Sequence, residues 1–230
     1  MSAGECDRGL RQRRRPRAAL TLVALAVSAT LGVAQQTSLT ESHIKSAAIE
    51  VPRLMELLEL RTGMTVADVG AGFSAWTTAF ARAIGESGHV FATEIGAPQL
   101  AALRENVAKQ GLKNVTIIEG TPSATGLPPS CCDAILVRDA FHHFTAPAAM
   151  ITSLAAALKP GGRLAIVDFP PQANSQIPSG VPANRNGHGI PADVIQQEVA
   201  TVLSHVRTIL AWSPQSQPAN TYIVIFRKPT

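Results

Sequence analysis

The stretch Val66-Ala67-Asp68-Val69-Gly70-Ala71-Gly72-Phe73-Ser74 decides the fold, because it joins an apolar strand to a helix through a Gly-x-Gly turn. Glycines let the backbone turn tightly and approach a ligand, and the following helix presents unpaired N–H groups at its start. Glu94 ends the next apolar run, where an acid can accept hydrogen bonds from ribose hydroxyls. A Gly-x-Gly turn alone is often a plain tight turn. The order strand, glycines, helix, strand and acid, however, indicates a nucleoside site.

Two residues in this region distinguish between nucleoside ligands. The dinucleotide fingerprint has a third glycine where this chain has Ala75. The carboxyl group of Asp68 is unfavourable beside a pyrophosphate but suits a cationic ligand, either an amino group or a sulfonium. An NAD-linked oxidoreductase is therefore disfavoured.

Short apolar runs alternate with helical patterns over the rest of the chain. The predicted strands span residues 64–69, 89–94, 115–119, 134–137, 163–169, 206–212 and 221–227, and the predicted helices span 47–60, 74–84, 97–110, 148–158 and 192–204. This alternation is typical of a doubly wound α/β sheet with helices on both faces. The last two strands are close in sequence and must pair antiparallel, so the sheet is expected to be mostly parallel with an antiparallel C-terminal strand.

The positive charge of the chain is confined to its beginning. The 230 residues carry a formal net charge of +4, but residues 35–230 hold 14 bases and 14 acids. This neutral body gives no reason to expect a nucleic-acid partner.

The six arginines of the first 17 residues precede an apolar stretch over residues 18–34. A basic region, a short apolar region and a small-residue exit predict a secretory signal peptide over residues 1–34, with an uncleaved membrane anchor as the alternative. Residues 35–46 are then a linker, and residues 47–230 form the domain. The protein is expected to be exported or periplasmic, with membrane contact only through an uncleaved leader, and cytoplasmic if the leader is not functional.

The cysteines suggest neither a metal site nor a disulfide framework. Cys131 and Cys132 are adjacent, so they cannot link distant segments, and two thiols are too few for a zinc site. We expect them to fill space at a strand entrance, and no metal is predicted.

Three further stretches carry a family resemblance: Val90–Ile95, Leu127-Pro128 before Asp133–Leu136, and Leu158–Leu164 with its Leu-Lys-Pro-Gly-Gly run. With the glycine turn, they resemble the class I S-adenosylmethionine-dependent methyltransferases, especially the small-molecule methyltransferase domain group. This resemblance runs from about residue 54 to 169 and implies a Rossmann-like fold. It also implies methyl transfer from S-adenosylmethionine to an unidentified small-molecule acceptor.

The resemblance assigns cofactor contacts by position. Asp68 and Gly70 would lie along the methionine part of the cofactor, Gly72 would give backbone access, and Ala71 between them is a further implied contact. The remaining implied contacts are Glu94 for the ribose, Ile95 against adenine, Thr121 where the family usually has an acid, and Arg138 and Asp139 after the fourth strand. Ser74 stands where many members have another glycine.

His142 and His143 follow the fourth strand, where the resemblance places the methyl-transfer mouth. Either histidine could orient an acceptor or remove its proton, or simply pack against the next helix. Residues 186–191 in the long loop are a candidate lid or a plain surface connection. Because methyl transfer depends mainly on alignment, no catalytic residue is demanded.

The leader leaves a second function open. An exported, non-catalytic binding protein that retains the methyltransferase fold is the alternative, because S-adenosylmethionine is made in the cytosol.

Overall fold

The computed structural model describes residues 41–212 and 220–230. The predicted leader and residues 35–40 of the predicted linker fall outside the described residues. Seven strands form one sheet in the order β3-β2-β1-β4-β5-β7-β6. They are β1 Thr65–Val69, β2 His89–Glu94, β3 Val115–Glu119, β4 Cys132–Arg138, β5 Leu158–Asp168, β6 Ser204–Ile209 and β7 Tyr222–Arg227.

Strand directions agree with the predicted fold class. The pairs β1–β2, β1–β4, β2–β3 and β4–β5 are parallel, whereas β7 is antiparallel to both β5 and β6. The Rossmann-like, mostly parallel sheet with an antiparallel C-terminal strand is thus confirmed. Its central strands read as apolar runs because both of their faces are covered.

Helices cover both faces of the sheet. They are α1 (residues 41–57), α2 Ala75–Ala83, α3 Ala97–Lys109, α4 Pro147–Ala157 and α5 Ala192–Val199. On one face Leu54 and Phe80 pack with Leu136, and on the other Leu154 packs with Ile135. Since adjacent residues of a strand point to opposite faces, Ile135 and Leu136 anchor two different halves of the core.

The first helix begins within the segment that was predicted to be a linker, so that part of the prediction is wrong. Residues 41–46 are helical rather than linker, and the described residues belong to a unit that spans Thr40–Thr230. Pro52 lies inside this helix, where it cannot donate the usual backbone hydrogen bond. Burial of Val51 and Leu54 beside it stabilises the helix despite that loss.

Three other boundaries differ from the prediction. Strand β5 begins at Leu158, which was expected to end the preceding helix, and it includes residues 159–162, where a break was expected. A register shift opposite its start lies between Cys132 and Ala134. Helix α5 ends at Val199, so β6 begins and ends earlier than its apolar pattern indicated. Trp212 was predicted as a strand residue but instead fills the core beside α1.

Cys131 and Cys132 are joined to each other by a disulfide at the entrance of β4. The bond links neighbours and fastens no distant segments, although the cysteines were expected only to fill space. Among the residues that the structure describes, no helix has the length and apolar character needed to cross a membrane.

Candidate active site

The glycine turn after β1 forms the floor of the candidate site. The amides of Gly70 and Ala71 both donate to the carbonyl of Thr93, each at 3.0 Å. Gly70 has φ 76°, and a Cβ built on it would lie 2.7 Å from the Cβ of Ala140. Gly70 is therefore required both by its backbone conformation and by the closeness of its neighbour.

Glu94 is fixed over this turn by two main-chain amides. Its Oε2 accepts from the amide of Gly72 at 3.1 Å, and its Oε1 accepts from the amide of Ile95 at 2.8 Å. The carboxylate lies at the end of β2 and lines a cavity of about 590 Å³. Each oxygen has used only one acceptor position. Glu94 can therefore accept two further hydrogen bonds from vicinal hydroxyls.

Asp68 lies below the same turn, almost fully buried. The hydroxyl of Thr77 donates to its Oδ2 at 2.6 Å. Burial raises the pKa of Asp68 to about 6, against the opposing effect of the Thr77 hydrogen bond. Asp68 lines a smaller cavity of about 170 Å³ on the other side of the glycines, together with Gly70 and Gly72.

Arg138, a predicted cofactor contact, is held by a residue that the sequence analysis missed. Glu50 on α1 accepts from Arg138 Nε at 3.0 Å, from Arg138 Nη2 at 3.3 Å and from Trp76 Nε1 at 3.0 Å. The guanidinium also lies 3.9 Å from the centroid of the Trp76 ring. Arg138 and Trp76 line the smaller cavity. One signal was available, since Glu50 stands in register with the buried positions Ala47 and Leu54 of α1.

Asp139 lines both cavities, as the predicted contacts Gly70 and Gly72 also do. Its backbone is left-handed, with φ 55°, and its amide donates to the carbonyl of Val167 at 2.8 Å. Burial raises the pKa of Asp139 to about 6, partly offset by the nearby Arg138. This aspartate therefore stands at the junction of the two spaces.

Ile95 and Thr121 form the outer wall of the larger cavity. Ile95 is 54% exposed, an apolar side chain left uncovered at the rim. Thr121 pairs with Ala124 in an isolated bridge, and its hydroxyl lies 3.4 Å from the hydroxyl of Ser123. An apolar side chain and a hydroxyl at this wall suit a flat heteroaromatic ring with a polar edge.

The two candidate histidines occupy different environments. His142 is buried, and its Nδ1 lies 2.8 Å from Oδ1 of Asp168. His143 is exposed and lines the larger cavity. Desolvation, followed by the nearby His142 and His188, lowers the pKa of His143 to about 4. His143 is therefore neutral and a weak base at pH 7, better suited to orienting an acceptor than to taking its proton.

The candidate lid over residues 186–191 reaches this mouth. The ring centroid of His188 lies 4.8 Å from that of His142, 5.5 Å from that of His143 and 5.4 Å from that of Phe169. The lid prediction included His188 but did not pair it with His142 or His143, because nothing in the sequence fixes how so long a loop returns.

Comparison with known proteins finds similarity to methyltransferases. Residues 66–162 match the methyltransferase domain family. The Ubiquinone/menaquinone biosynthesis C-methyltransferase UbiE of Shewanella pealeana is 32% identical over 110 residues, 47% of this chain and 44% of that protein. The same enzyme of Marinomonas sp. is 30% identical over 111 residues, 48% of this chain and 44% of that protein. The chain thus spans less than half the length of these curated relatives.

Solved structures share the fold. A SAM dependent methyltransferase from Aquifex aeolicus is 23% identical, with a TM-score of 0.61 over 77% of this chain and 88% of that chain. Haemonchus contortus phosphoethanolamine N-methyltransferase 2, in complex with S-adenosyl-L-methionine, is 16% identical, with a TM-score of 0.63 over 79% of this chain and 52% of that chain. At these identities the likeness establishes the architecture alone.

Proposed function

We propose that this chain is a class I S-adenosylmethionine-dependent methyltransferase that transfers a methyl group from S-adenosylmethionine to a small-molecule acceptor, as its match to the methyltransferase domain and its shared architecture support. The observation that carries the proposal is the Glu94 carboxylate, held by the amides of Gly72 and Ile95 above the glycine turn. Its unused acceptor positions fit the two hydroxyls of a ribose.

The residues around the turn fit the rest of the cofactor. Nothing lies within 4 Å of a Cβ built on Gly72, so the backbone there is open to a ligand. Ile95 and Thr121 would contact adenine. Asp68, Arg138 and Asp139 would surround the amino-acid end in the smaller cavity, where the carboxyl groups of buried Asp68 and half-buried Asp139 favour a cation.

The acceptor end of the larger cavity is mostly apolar. Phe144 and Met150 line it together with His143 and Thr145. When bound, S-adenosylmethionine supplies an electrophilic methyl group on a sulfonium. The protein's task is then to hold an acceptor atom in line with that methyl group and to exclude water, which accounts for a large part of such a rate enhancement.

Removing the Glu94 carboxylate tests the cofactor site. Glu94→Ala should weaken S-adenosylmethionine binding about 100-fold, because it deletes two hydrogen bonds to a charged group. Glu119→Ala is the matched control, since Glu119 ends the neighbouring strand beside Glu94 and lies outside the cavity wall. Calorimetry on the purified chain should give an unchanged Kd for the control. An unchanged Kd for Glu94→Ala would overturn the assignment.

The alternative, an exported binding protein that keeps the fold without catalysis, is separated by ligand retention. The wild-type chain is mixed with S-adenosylmethionine and, in parallel, with NAD. Retention of S-adenosylmethionine alone supports the methyltransferase. Retention of NAD alone supports an oxidoreductase, and retention of neither supports the binding protein.

Residues 1–34 are part of the proposal as an export signal. Six arginines followed by an apolar stretch support export of the body. Cell fractionation with mass measurement of the mature N-terminus tests this. A mature chain that begins at Gln35 outside the cytoplasm is the expected result, and an intact Met1 on a cytoplasmic chain contradicts it.

A further inference from the structure

Three histidines from two separate parts of the chain converge beside the larger cavity. His142 and His143 lie in the 3-10 turn Phe141–His143 after β4, and His188 comes from the loop between β5 and α5. One ring nitrogen from each histidine lies within 4.8 Å of the others. The proposed methyl transfer uses only His143 of the three, so the convergence needs another explanation.

One ring nitrogen of His142 contacts a carboxylate, and the other has no hydrogen-bond partner among the described residues. Asp168 accepts from the backbone amides of His142 and Phe169, at 3.2 and 2.9 Å, as well as lying 2.8 Å from Nδ1 of His142. Because the carboxylate of Asp168 can only accept, Nδ1 of His142 must carry a proton. In the neutral ring the lone pair is then on Nε2. That Nε2 is buried and has no hydrogen-bond partner among the described residues.

An unpartnered buried nitrogen is costly unless something binds it. A carboxylate behind one ring nitrogen and a free lone pair on the other is the usual setting of a histidine that binds a metal, because the carboxylate fixes both the tautomer and the ring.

The loop brings His188 to this point through a specific backbone path. The amide of His188 donates to the hydroxyl of Ser175 at 2.7 Å, and its carbonyl accepts from the amide of Gln172 at 2.9 Å. Gly187 and Gly189 flank it with φ 135° and 113°. A Cβ on Gly189 would lie 2.7 Å from the carbonyl oxygen of Pro170. Both glycines are thus needed to present this histidine.

The same loop is fastened at a second place. Arg185, fully buried, donates to both carboxylate oxygens of Glu198 on α5, at 2.6 and 3.0 Å. The loop that carries His188 is therefore held by its own residues Gln172 and Ser175 and, through Arg185, by α5.

We infer that Nε2 of His142, with one ring nitrogen each of His143 and His188, binds a divalent transition-metal ion, with zinc as the expected occupant. Three imidazoles suit zinc and its neighbours in the first row better than magnesium or calcium, which prefer oxygen ligands. Zinc needs nitrogen atoms about 2.0–2.1 Å away, so tetrahedral ligands lie roughly 3.4 Å apart. His143 is exposed and His188 half-buried, so their rings have room to turn toward a shared ion while Asp168 holds His142.

Three protein ligands leave a fourth position of the metal open, the pattern of catalytic rather than structural zinc. His143 lines the cavity assigned to the acceptor, so a hydroxyl or thiol of the acceptor can occupy this position and lose its proton to solvent more readily. This use of the metal rests on the proposed function, whereas metal binding itself does not.

Metal titration tests the site directly. The full chain is purified without a polyhistidine tag, stripped with a chelator, and titrated with Zn²⁺ by calorimetry and with Co²⁺ by visible absorption. We expect one equivalent to bind, with the strong visible bands of tetrahedral cobalt. His188→Ala should weaken binding by more than the roughly 10- to 100-fold that loss of an outer-shell partner costs.

Two further variants sharpen the result. His188→Cys should restore binding, because a thiolate is also a zinc ligand. His205→Ala is the control, since His205 is exposed on β6, hydrogen-bonded to Thr208, and outside the cluster. Asp168→Asn should lower the affinity about 10- to 100-fold by releasing the His142 ring.

The metal site is overturned if the wild-type chain binds no zinc, or if His188→Ala binds it as tightly as His205→Ala does. S-adenosylmethionine affinity is measured on the same metal-free samples. If the wild-type chain binds zinc but not S-adenosylmethionine, the proposed function is rejected and the metal site stands. If it binds S-adenosylmethionine but not zinc, only the metal site is rejected.

Discussion

Glu50 and Arg138 form a buried, two-pronged ion pair that ties the first helix to the end of β4. The two contacts measure 3.0 and 3.3 Å, and the side chains are 0% and 3% exposed. Since Arg138 also lines the smaller cavity, this pair makes α1 part of the site rather than a neighbouring support.

Removing one member of this pair should be costly. Glu50→Ala leaves a buried guanidinium without its anion and the Trp76 indole N–H without its acceptor, so the free energy of unfolding should fall by about 3–5 kcal/mol. Chemical denaturation measures the loss. Glu41→Ala, which removes an exposed partner of Lys45 in the same helix, should leave stability unchanged. Equal stability of the two variants would contradict the role given to the pair.

Alanine substitutions at two glycines distinguish the cost of backbone strain from the cost of steric crowding. Gly70 and Gly111 have φ 76° and 63°, but only at Gly70 does a built Cβ meet a neighbour within 4 Å. Gly111→Ala should cost about 1–2 kcal/mol from its left-handed backbone alone. Gly70→Ala should cost more and should also weaken S-adenosylmethionine binding, because the turn must move away from Ala140. Thermal unfolding and calorimetry measure both effects, and an equal loss in the two variants would argue against the crowding.

Ser74 offers a stabilising substitution. Its φ is 76°, and its side chain makes no cap hydrogen bond to the start of α2. A non-glycine residue in this conformation stores about 1 kcal/mol of strain, so Ser74→Gly should raise the free energy of unfolding by about that amount. Ser74→Ala loses the same hydroxyl but keeps the Cβ and should give no gain. A gain in both variants would assign the effect to the hydroxyl instead.

The buried Asp68 makes stability depend on pH. Its folded pKa of about 6 lies above the ordinary 3.8, so the folded state binds the extra proton between these values. The protonated carboxyl group of Asp68 therefore contributes its full stabilisation of the folded state below pH 3.8, and this contribution is lost as the pH rises through about 6.

Asp68→Asn removes this dependence. The stability of the variant relative to wild type should therefore increase from pH 4 to pH 7, by about 1–3 kcal/mol, since each pKa unit is worth about 1.4 kcal/mol. Denaturant titrations at several pH values measure the difference, with exposed Asp193→Asn as the control for losing an aspartate. Wild-type and Asp68→Asn curves that stay parallel would contradict the raised pKa.

Local sequence signals were enough for the sheet and the glycine turn. Strands β2 and β3 were predicted to the residue, because each is a short apolar run bounded by turn residues. The turn at Gly70 and the acid at Glu94 follow a spacing that one strand-turn-helix unit dictates.

Contacts between distant segments were not predictable in the same way. Glu50 and Arg138 meet only after α1 packs on the sheet, and His188 meets His142 only through the path of a long loop. The sequence around each of these residues contains no signal that identifies the residue it contacts. The helix over residues 41–46 was missed for a related reason, since its polar residues read as linker until Ser46 and Ala47 are seen to be buried.

Asp68 also links occupancy of the site to the proton balance of the solution. A cationic ligand in the smaller cavity favours the ionised carboxylate, so its binding near pH 6 expels a proton into the buffer. An uncharged ligand of the same shape leaves that proton in place. The heat of binding of a cation should accordingly change with the ionisation enthalpy of the buffer, whereas the heat of binding of the uncharged ligand should not. Proton release on binding therefore distinguishes the two ligands by their charge alone.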